Sequence, residues 1–264
     1  VREKKRGRKD RNFIASLGRG FSILEAFDRE HPRMGITDLS RKTGLSKSTV
    51  FRFVHTLSQL GYILPLSEEN KYSLGPRVLN LGFSVLSGLE LREIAQPYLL
   101  ELSRQVKETV NLAILDGWEL VYIERIKTQQ IMNINLHVGS RLPLYNTAMG
   151  RVLSAFKKKE WIAQYINHLK KYPEAKEYWE NNGLKLIKIL EEVRKTGIAL
   201  NNEELTPGLR SVAAPIRERG GEVVGAVNIA VSASLYSLQR LKRELVEPLR
   251  IKAQQISLAL GFRV

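Results

Sequence analysis

The stretch TGLSKSTVFRFVHTLSQLGYI, from Thr43 to Ile63, leaves a chain few ways to fold. Val50, Phe53, Val54, Leu57 and Leu60 recur at helical spacing, so the segment must be a helix with one apolar face turned to a core. At about 100° per residue, Ser48, Arg52, His55 and Gln59 then line the opposite face. A face meant only for water would usually carry Glu and Lys. This one offers hydrogen-bond donors, a forked cation and no acid.

Its surroundings fit a helix-turn-helix. Residues 13–28 place Leu17, Phe21, Leu24 and Phe27 on one helical face. After the turn HPRMG, Thr37 stands where an N-cap would open the short helix DLSRKTG. Gly44 supplies a tight turn, Ser46 can cap a helix from Lys47 to about Leu60, and Gly61 ends it. YILPLSEENKYSLG then reads as two short strands around SEEN, a hairpin or wing. Between Asp38 and Glu68 lie 29 residues with Arg41, Lys42, Lys47 and Arg52 and no acid, a gap that avoids repulsion from phosphates.

Charge points the same way. The 264 residues carry 42 Lys+Arg against 27 Asp+Glu, net +15, a balance that favours polyanions but equally fits a Lys-rich soluble surface. The opening VREKKRGRKDR holds seven basic and two acidic residues. Residues 1–12 read as a basic disordered arm, either a solvated tail or an arm along a phosphate backbone. The chain has no cysteine, which excludes disulfides and thiolate chemistry and fits a cytoplasmic protein. No apolar run nears 18 residues and no apolar stretch follows the basic start, so neither a membrane span nor a secretory signal is expected.

Downstream, Arg77 to Leu102 is amphipathic and helical, interrupted by SGLE and Pro97: a linker helix and the first helix of a second domain. TVNLAILDGWELVYIERI follows as a hairpin turning at Asp116-Gly117, then IMNINLHVG as another strand. Helices return at TAMGRVLSAFKK, EWIAQYINHLKK and LKLIKILEEVRKTG. IALNN, RSVAAPIRE and EVVGAVNIAVS are strands, and a helix from Leu235 to about Leu260 closes the chain. Strands and helices mix without βαβ alternation, which favours an α+β sensor-like domain. The organisation read is 13–75 as a winged helix-turn-helix DNA-binding domain, 76–88 as linker helix and 89–264 as effector-binding domain.

Catalytic patterns are missing. His31, His55, His137 and His168 form no i,i+4 pair, and GxSxG, GxxxxGK[ST] and GxGxxG are absent. Glu203-Glu204 reads as exposed charge rather than a carboxylate pair, since strand neighbours point apart. No catalytic residue, metal site or cofactor is assigned.

Three motifs in order resemble the IclR-type bacterial transcriptional regulators, over nearly the whole chain. SKSTVFRFVHTL is similar to their recognition helix, GSRLPLYNTAMGRVLSAF to the loop-helix motif of their effector domain, and TGIALNNEELTPGLRSVAAPI with GAVNIAVS to its second half. GSRLPLY and NEELTPGLRS most resemble the branch governing aromatic-acid catabolism through the β-ketoadipate pathway. The resemblance implies a winged helix-turn-helix, a linker helix and a GAF-like mixed α/β domain, assembled as a homodimer or homotetramer. It also implies a small organic acid that alters binding to operator DNA. The implied pocket is Ile134, Leu142, Ala148, Met149, Asn201, Ser211, Asn228 and Ala230. In some relatives Asn201 is replaced by an acid, Ser211 by cysteine, and Asn228 and Ala230 by serine.

The residues themselves agree. NTAMG can open a helix with Asn146 or Thr147 as cap, offering free N–H groups to a carboxylate, though simple capping with Met149 as core filler reads as well. Asn201, Ser211 and Asn228 sit on strands rich in Ala, Val and Ile, facing either solvent or ligand. None of the implied positions is Arg or Lys, so an anion would be held by neutral donors. The DNA-reading set is Lys47, Ser48, Thr49, Phe51, Arg52 and His55: Arg52 forks onto guanine, Lys47 and Ser48 reach bases or backbone, and Phe51 meets a thymine methyl or packs on the wing. The rival readings are an enzyme tethered by its N-terminal module, and an RNA-binding protein, against which the lack of interleaved surface aromatics argues.

Overall fold

The apolar period between Thr43 and Ile63 folds as a helix in a computed structural model of the chain, which describes residues 12–28, 30–66, 70–128 and 136–263. The chain divides into two compact units, Val1–Gly88 and Leu89–Val264.

The first unit holds α1 (Ala15–Ala26), α2 (Ile36–Thr43), α3 (Lys47–Gln59), the strands β1 (Ile63–Leu66) and β2 (Lys71–Leu74), and α4 (Arg77–Ser87). Gly44 makes the turn between α2 and α3 at φ +71°, its N–H donating to Ser40 O at 2.9 Å. Ser46 caps α3 by accepting from Thr49 N at 3.3 Å. Two local readings change. α2 begins at Ile36 and leaves Thr37 inside it; Asp38 closes the start instead, accepting from Gly35 N at 3.3 Å. The apolar face of α1 splits: Ile23, Ala26 and Phe27 join Leu39, Val50, Val54 and Ile63 in the core, while Leu17 and Phe21 are exposed. β1 and β2 pair antiparallel as the wing, whose tip at 67–69 lies outside the described residues, as does the arm at 1–11. Arg77 ties α4 to this unit, donating from Nη1 to Leu60 O at 2.6 Å.

In the second unit come α5 (Glu90–Val106), β3 (Thr109–Asp116), β4 (Glu119–Ile126), β5 (Arg141–Pro143), α6 (Ala148–Ala155), α7 (Lys159–Leu169) and α8 (Lys176–Thr196). β6 (Ala199–Asn202), β7 (Leu209–Arg217), β8 (Val223–Ser232) and α9 (Leu238–Ala259) complete it. Six strands form one antiparallel sheet in the order β5-β4-β3-β8-β7-β6. Period-2 alternation gives its two faces different chemistry. Val110, Leu112, Val212, Ala214, Val227 and Ile229 are buried on the side packed by α5 and α9. Asn111, Ala113, Ser211, Ala213, Ala226 and Asn228 alternate with them, on the side packed by α6 with α7 and α8 behind it. Small and polar residues on that side let α6 approach and leave unfilled space.

Several sequence expectations need correction. Pro97 does not interrupt its helix but lies inside α5. β5 was unread inside GSRLPLY; it pairs Leu142 with Leu120. α8 starts at Lys176, well before LKLIKILEE, and its backbone leaves the helical region from Glu180 to Gly183. Of the strand expected at IMNINLHVG, 131–139, residues 131–135 lie outside the described residues, and 136–139 form no strand.

Candidate DNA-reading face and effector cavity

α3 presents Lys47, Ser48, Phe51, Arg52, His55 and Gln59 to solvent, with Thr49 half-buried beside the cap, its Oγ1 2.9 Å from Ser46 Oγ. The helix is held by Val50 and Val54, which are buried at the same spacing that pushes the polar set outward. Phe51 is 57% exposed, so a large apolar ring stands in the middle of a polar face. Arg19 of α1 was missed by sequence reasoning. It lines a groove of about 390 Å³ with Ser16, Thr49, Arg52 and Thr56, placing two guanidinium-bearing residues along one concavity.

In the second unit, one cavity lies between the polar sheet face and the start of α6. Ala148, Met149, Asn201, Ser211, Asn228 and Ala230, six of the eight residues proposed for the pocket, line it. Leu142 does not: on β5 it packs against the core with Leu120 and Leu144. Ile134 lies outside the described residues. The strand register explains why the six converge. Asn201 is opposite Ser211, Ser211 opposite Ala230, and Asn228 opposite Asn111, so one face carries them side by side. Thr147 rather than Asn146 caps α6, accepting from Gly150 N at 3.2 Å and donating to Pro143 O at 2.7 Å. The first turn of α6 therefore points its remaining free N–H groups toward this region.

Sequence reasoning missed Asn111, Tyr122, Arg125, Leu136, Leu205 and Leu209, which line the cavity together with the cap residue Thr147. Arg125 overturns the expectation of a purely neutral donor set. Its Nη1 donates to Asn111 Oδ1 at 3.2 Å, and Asn111 Nδ2 donates to Asn228 Oδ1 at 2.7 Å. Burial pulls Arg125 below its ordinary pKa, and the nearby Tyr122 hydroxyl opposes that pull. An arginine stays protonated near neutral pH all the same. Burial pushes the Tyr122 phenol up to about 12, against the field of Arg125. The signal for Arg125 was available: it lies within the hydrophobic strand β4, in VYIERI, but a register shift between Leu112 and Ala113 changes which β4 residues face the cavity.

The cavity is small, with about 20 Å³ of free room, enough for about one water. A ligand larger than a water would have to part its walls. The loop after β6 forms one of them through Leu205, and the two acids before Leu205, though partly exposed as expected, are each also paired with an arginine. Glu203 accepts from Arg210 Nη2 at 2.9 Å and from Gly208 N at 3.0 Å. Glu204 pairs with the buried Arg151 of α6, which also donates to Tyr145 O at 3.1 Å and Leu200 O at 2.7 Å. Larger grooves of about 460 and 470 Å³ run along α8, but they are open. The small cavity gathers the buried polar groups and is the better candidate.

Among the described residues no group of three or more His, Asp or Glu could hold a metal ion, and no helix is long and apolar enough to cross a membrane. Residues 83–258 match the family model for the bacterial transcriptional regulator IclR C-terminal domain, and residues 16–65 that for the IclR helix-turn-helix domain. The HTH-type transcriptional regulator KdgR of Escherichia coli K12 is 35% identical over 249 residues, spanning 94% of this chain and 94% of KdgR. The Pca regulon regulatory protein of Pseudomonas putida is 33% identical over 238 residues, 90% of this chain and 81% of that protein. A crystal structure of a transcriptional regulator from Rhodococcus sp. RHA1 matches with a TM-score of 0.80 at 39% identity, covering 94% of this chain and 99% of the other. With both domain models matched in order and relatives aligned nearly end to end, the chain belongs to the IclR family: it is a DNA-binding transcriptional regulator with a C-terminal effector-binding domain, and not an enzyme.

Proposed function

We propose that this regulator reads operator DNA with Lys47, Ser48, Thr49, Phe51, Arg52 and His55, and that a small organic acid in the cavity under α6 changes that binding. The observation that carries the effector reading is Arg125: a half-buried guanidinium on the wall of a small cavity of mixed polar and apolar lining, braced by the Asn111–Asn228 pair. A partly desolvated cation without a carboxylate beside it is costly, and an anionic ligand relieves that cost. The α6 N-terminus adds a favourable dipole, and Met149, Leu136 and Leu209 offer apolar walls for a carbon skeleton. An aromatic acid suits those walls. The 35% identity to KdgR and 33% to the Pca regulator do not separate the two regulatory branches, so the aromatic assignment rests on this chemistry.

Assembly as a homodimer or homotetramer belongs to the same reading. Leu17 and Phe21 on α1, and Leu79 and Phe83 on α4, are exposed apolar residues in the DNA-binding unit that a second copy would cover.

The test is a thermal-shift screen of aromatic and aliphatic carboxylic acids on the full chain. A binder at about 100 times its dissociation constant adds about 2.7 kcal/mol of stability. Ser211→Ala should then cost about 0.5–3 kcal/mol of ligand affinity and leave ligand-free operator binding unchanged. Equal acid binding by Ser211→Ala and the parent puts the pocket elsewhere.

A further inference from the structure

α7 and α8 run antiparallel, a relation fixed by two side chains at opposite ends. Trp179, near the start of α8, donates from Nε1 to Tyr172 O at 3.4 Å, just past the end of α7. Arg194, near the end of α8, donates from Nη2 to Lys157 O at 3.1 Å, just before α7 begins. Between them runs the open groove of about 460 Å³. Gly183 lets the two helices close at its base: at φ +74°, a Cβ there would stand 2.4 Å from Ile166 Cδ1. Asn181 and Asn182 share its left-handed backbone, which breaks α8 and leaves Trp179 and Asn182 on the groove wall. Such backbone is costly outside glycine and is kept where a surface needs a particular shape.

The groove is apolar along its length and cationic at its ends. Buried Ile162 and Ile166 form the floor, and half-buried Ile187 and Trp179 the wall. Lys159 and Arg194 stand at one end. Lys170 stands at the other, about 16 Å along α7 from Lys159 at about 1.5 Å per residue. Glu191 is the one acid against these three cations, and among the described residues Lys159 and Lys170 form no ion pair. A fitting partner is therefore apolar over about three helical turns and acidic at both ends. A small acid would reach only one end and leave the floor uncovered. An amphipathic helix meets both demands, laying residues at i, i+3, i+4 and i+7 over the isoleucines, with a tryptophan beside them as anchor. A second copy of this chain is a poor occupant, since 42 Lys+Arg against 27 Asp+Glu make its surface basic like the groove.

We propose that this groove docks an amphipathic helix of another protein, its apolar stripe on Ile162, Ile166, Ile187 and Trp179, one acidic end on Lys170 and the other on Lys159 and Arg194. Burial of the stripe holds the helix, and the cations decide which helix is accepted. The groove shares no lining residue with the cavity under α6, and docking does not depend on the organic acid proposed there.

Fluorescence anisotropy of labelled helical peptides, each of about four turns, titrated with the full chain tests this. One peptide carries leucines at i, i+3, i+4 and i+7 between glutamates in its first and last turns. A second has the same residues in scrambled order, and a third has lysine for every glutamate. The ordered acidic peptide should bind about 10-fold or more tighter than the scrambled one, whose equal charge controls for simple attraction to a basic protein. Lys159→Glu together with Lys170→Glu should reverse the preference, so that the lysine peptide outbinds the acidic one. Ala163→Gln adds uncharged bulk to the groove and should weaken the acidic peptide about 10-fold or more. All three positions are exposed, so the fold is kept, and the peptide comparison on the unaltered chain needs no variant. Equal binding of the ordered and scrambled peptides, or no binding of either, overturns the proposal. So does an ordered peptide whose affinity ignores the lysine reversal. If the reversed chain sediments as a smaller oligomer than the parent, the groove is a contact between copies and the proposal is again overturned.

Discussion

Arg151 and Glu204 form an ion pair that joins the core helix α6 to the loop over the cavity at the start of that helix. The Arg151 side chain is only 5% exposed, whereas that of Glu204 is 34% exposed, so the pair stands at the boundary between core and water. Tyr178 leans on the same carboxylate, its hydroxyl 3.4 Å from Glu204 Oε2. Next along the chain is Leu205, a wall of the cavity. Since the cavity has room for about one water, admitting a larger ligand and holding this pair are in competition wherever Leu205 must yield.

Glu204→Gln should therefore loosen the loop without unfolding the domain. Arg151 keeps its two carbonyl acceptors, Tyr145 O and Leu200 O, and the lost partner is partly solvated. The expected cost is about 1–2 kcal/mol, below the ~3–5 kcal/mol of breaking a fully buried pair. Amide hydrogen exchange gives the readout. The Glu203 N–H, bonded to Leu209 O at 2.9 Å, should exchange faster, while amides in β8 keep their protection. Unchanged exchange at Glu203 would mean the pair does not hold the loop.

Gly150→Ala should be far more damaging than its size suggests. A Cβ at Gly150 would stand 2.4 Å from Leu144 Cα, Leu144 O and Thr147 Oγ1. Two of those three are backbone atoms, and the third is the cap of α6, so none can swing aside. Overpacking of this kind costs about 1–3 kcal/mol or more. The thermal midpoint of the second unit should fall, and acid binding should weaken with it because the start of α6 moves. A variant with the parent's melting curve would show that the loop before α6 can give way.

How much of this was written in the sequence differs by level. α3 was legible because Val50 and Val54 obey one period and Ser46 caps where a hydroxyl is needed. The polar strand residues were visible too, but alternation alone could not say whether Asn201 and Asn228 met water or a cavity. That depends on α6 packing across the sheet, a long-range fact. Arg125 and Asn111 were hidden for a related reason: their pairing follows from the register of β3 with β4 and from the register shift at Leu112/Ala113. Glu204 looked like surface charge because its partner, Arg151, lies 53 residues earlier.

Removal of residues 1–11 should weaken binding to every duplex and flatten its salt dependence. The segment carries seven basic and two acidic residues, and each phosphate it neutralises contributes about 0.9 to the slope of log affinity against log salt. Electrophoretic or fluorescence titrations at several salt concentrations, on operator and random DNA, provide the slopes. Equal slopes with and without the segment would reduce it to a solvated tail.

Arg52→Ala and Phe51→Ala should separate two kinds of operator contact while sparing the fold. Both side chains are exposed on α3, opposite the buried Val50 and Val54, so each substitution should change stability by no more than about 0.5 kcal/mol. Arg52 can fork onto a guanine, and its loss should cost about 1–3 kcal/mol on operator and much less on random duplex. Phe51 carries no charge and is 57% exposed, so its contribution should be an apolar contact that salt does not screen. Its removal should weaken operator binding by a similar factor at low and high salt, in contrast to any lysine on the same helix. Effector binding should be the same in both variants, because the cavity is built wholly from the second unit. If Arg52→Ala lowers operator and random binding equally, Arg52 is a phosphate contact. If Phe51→Ala binds operator like the parent, the exposed ring is doing something other than reading DNA.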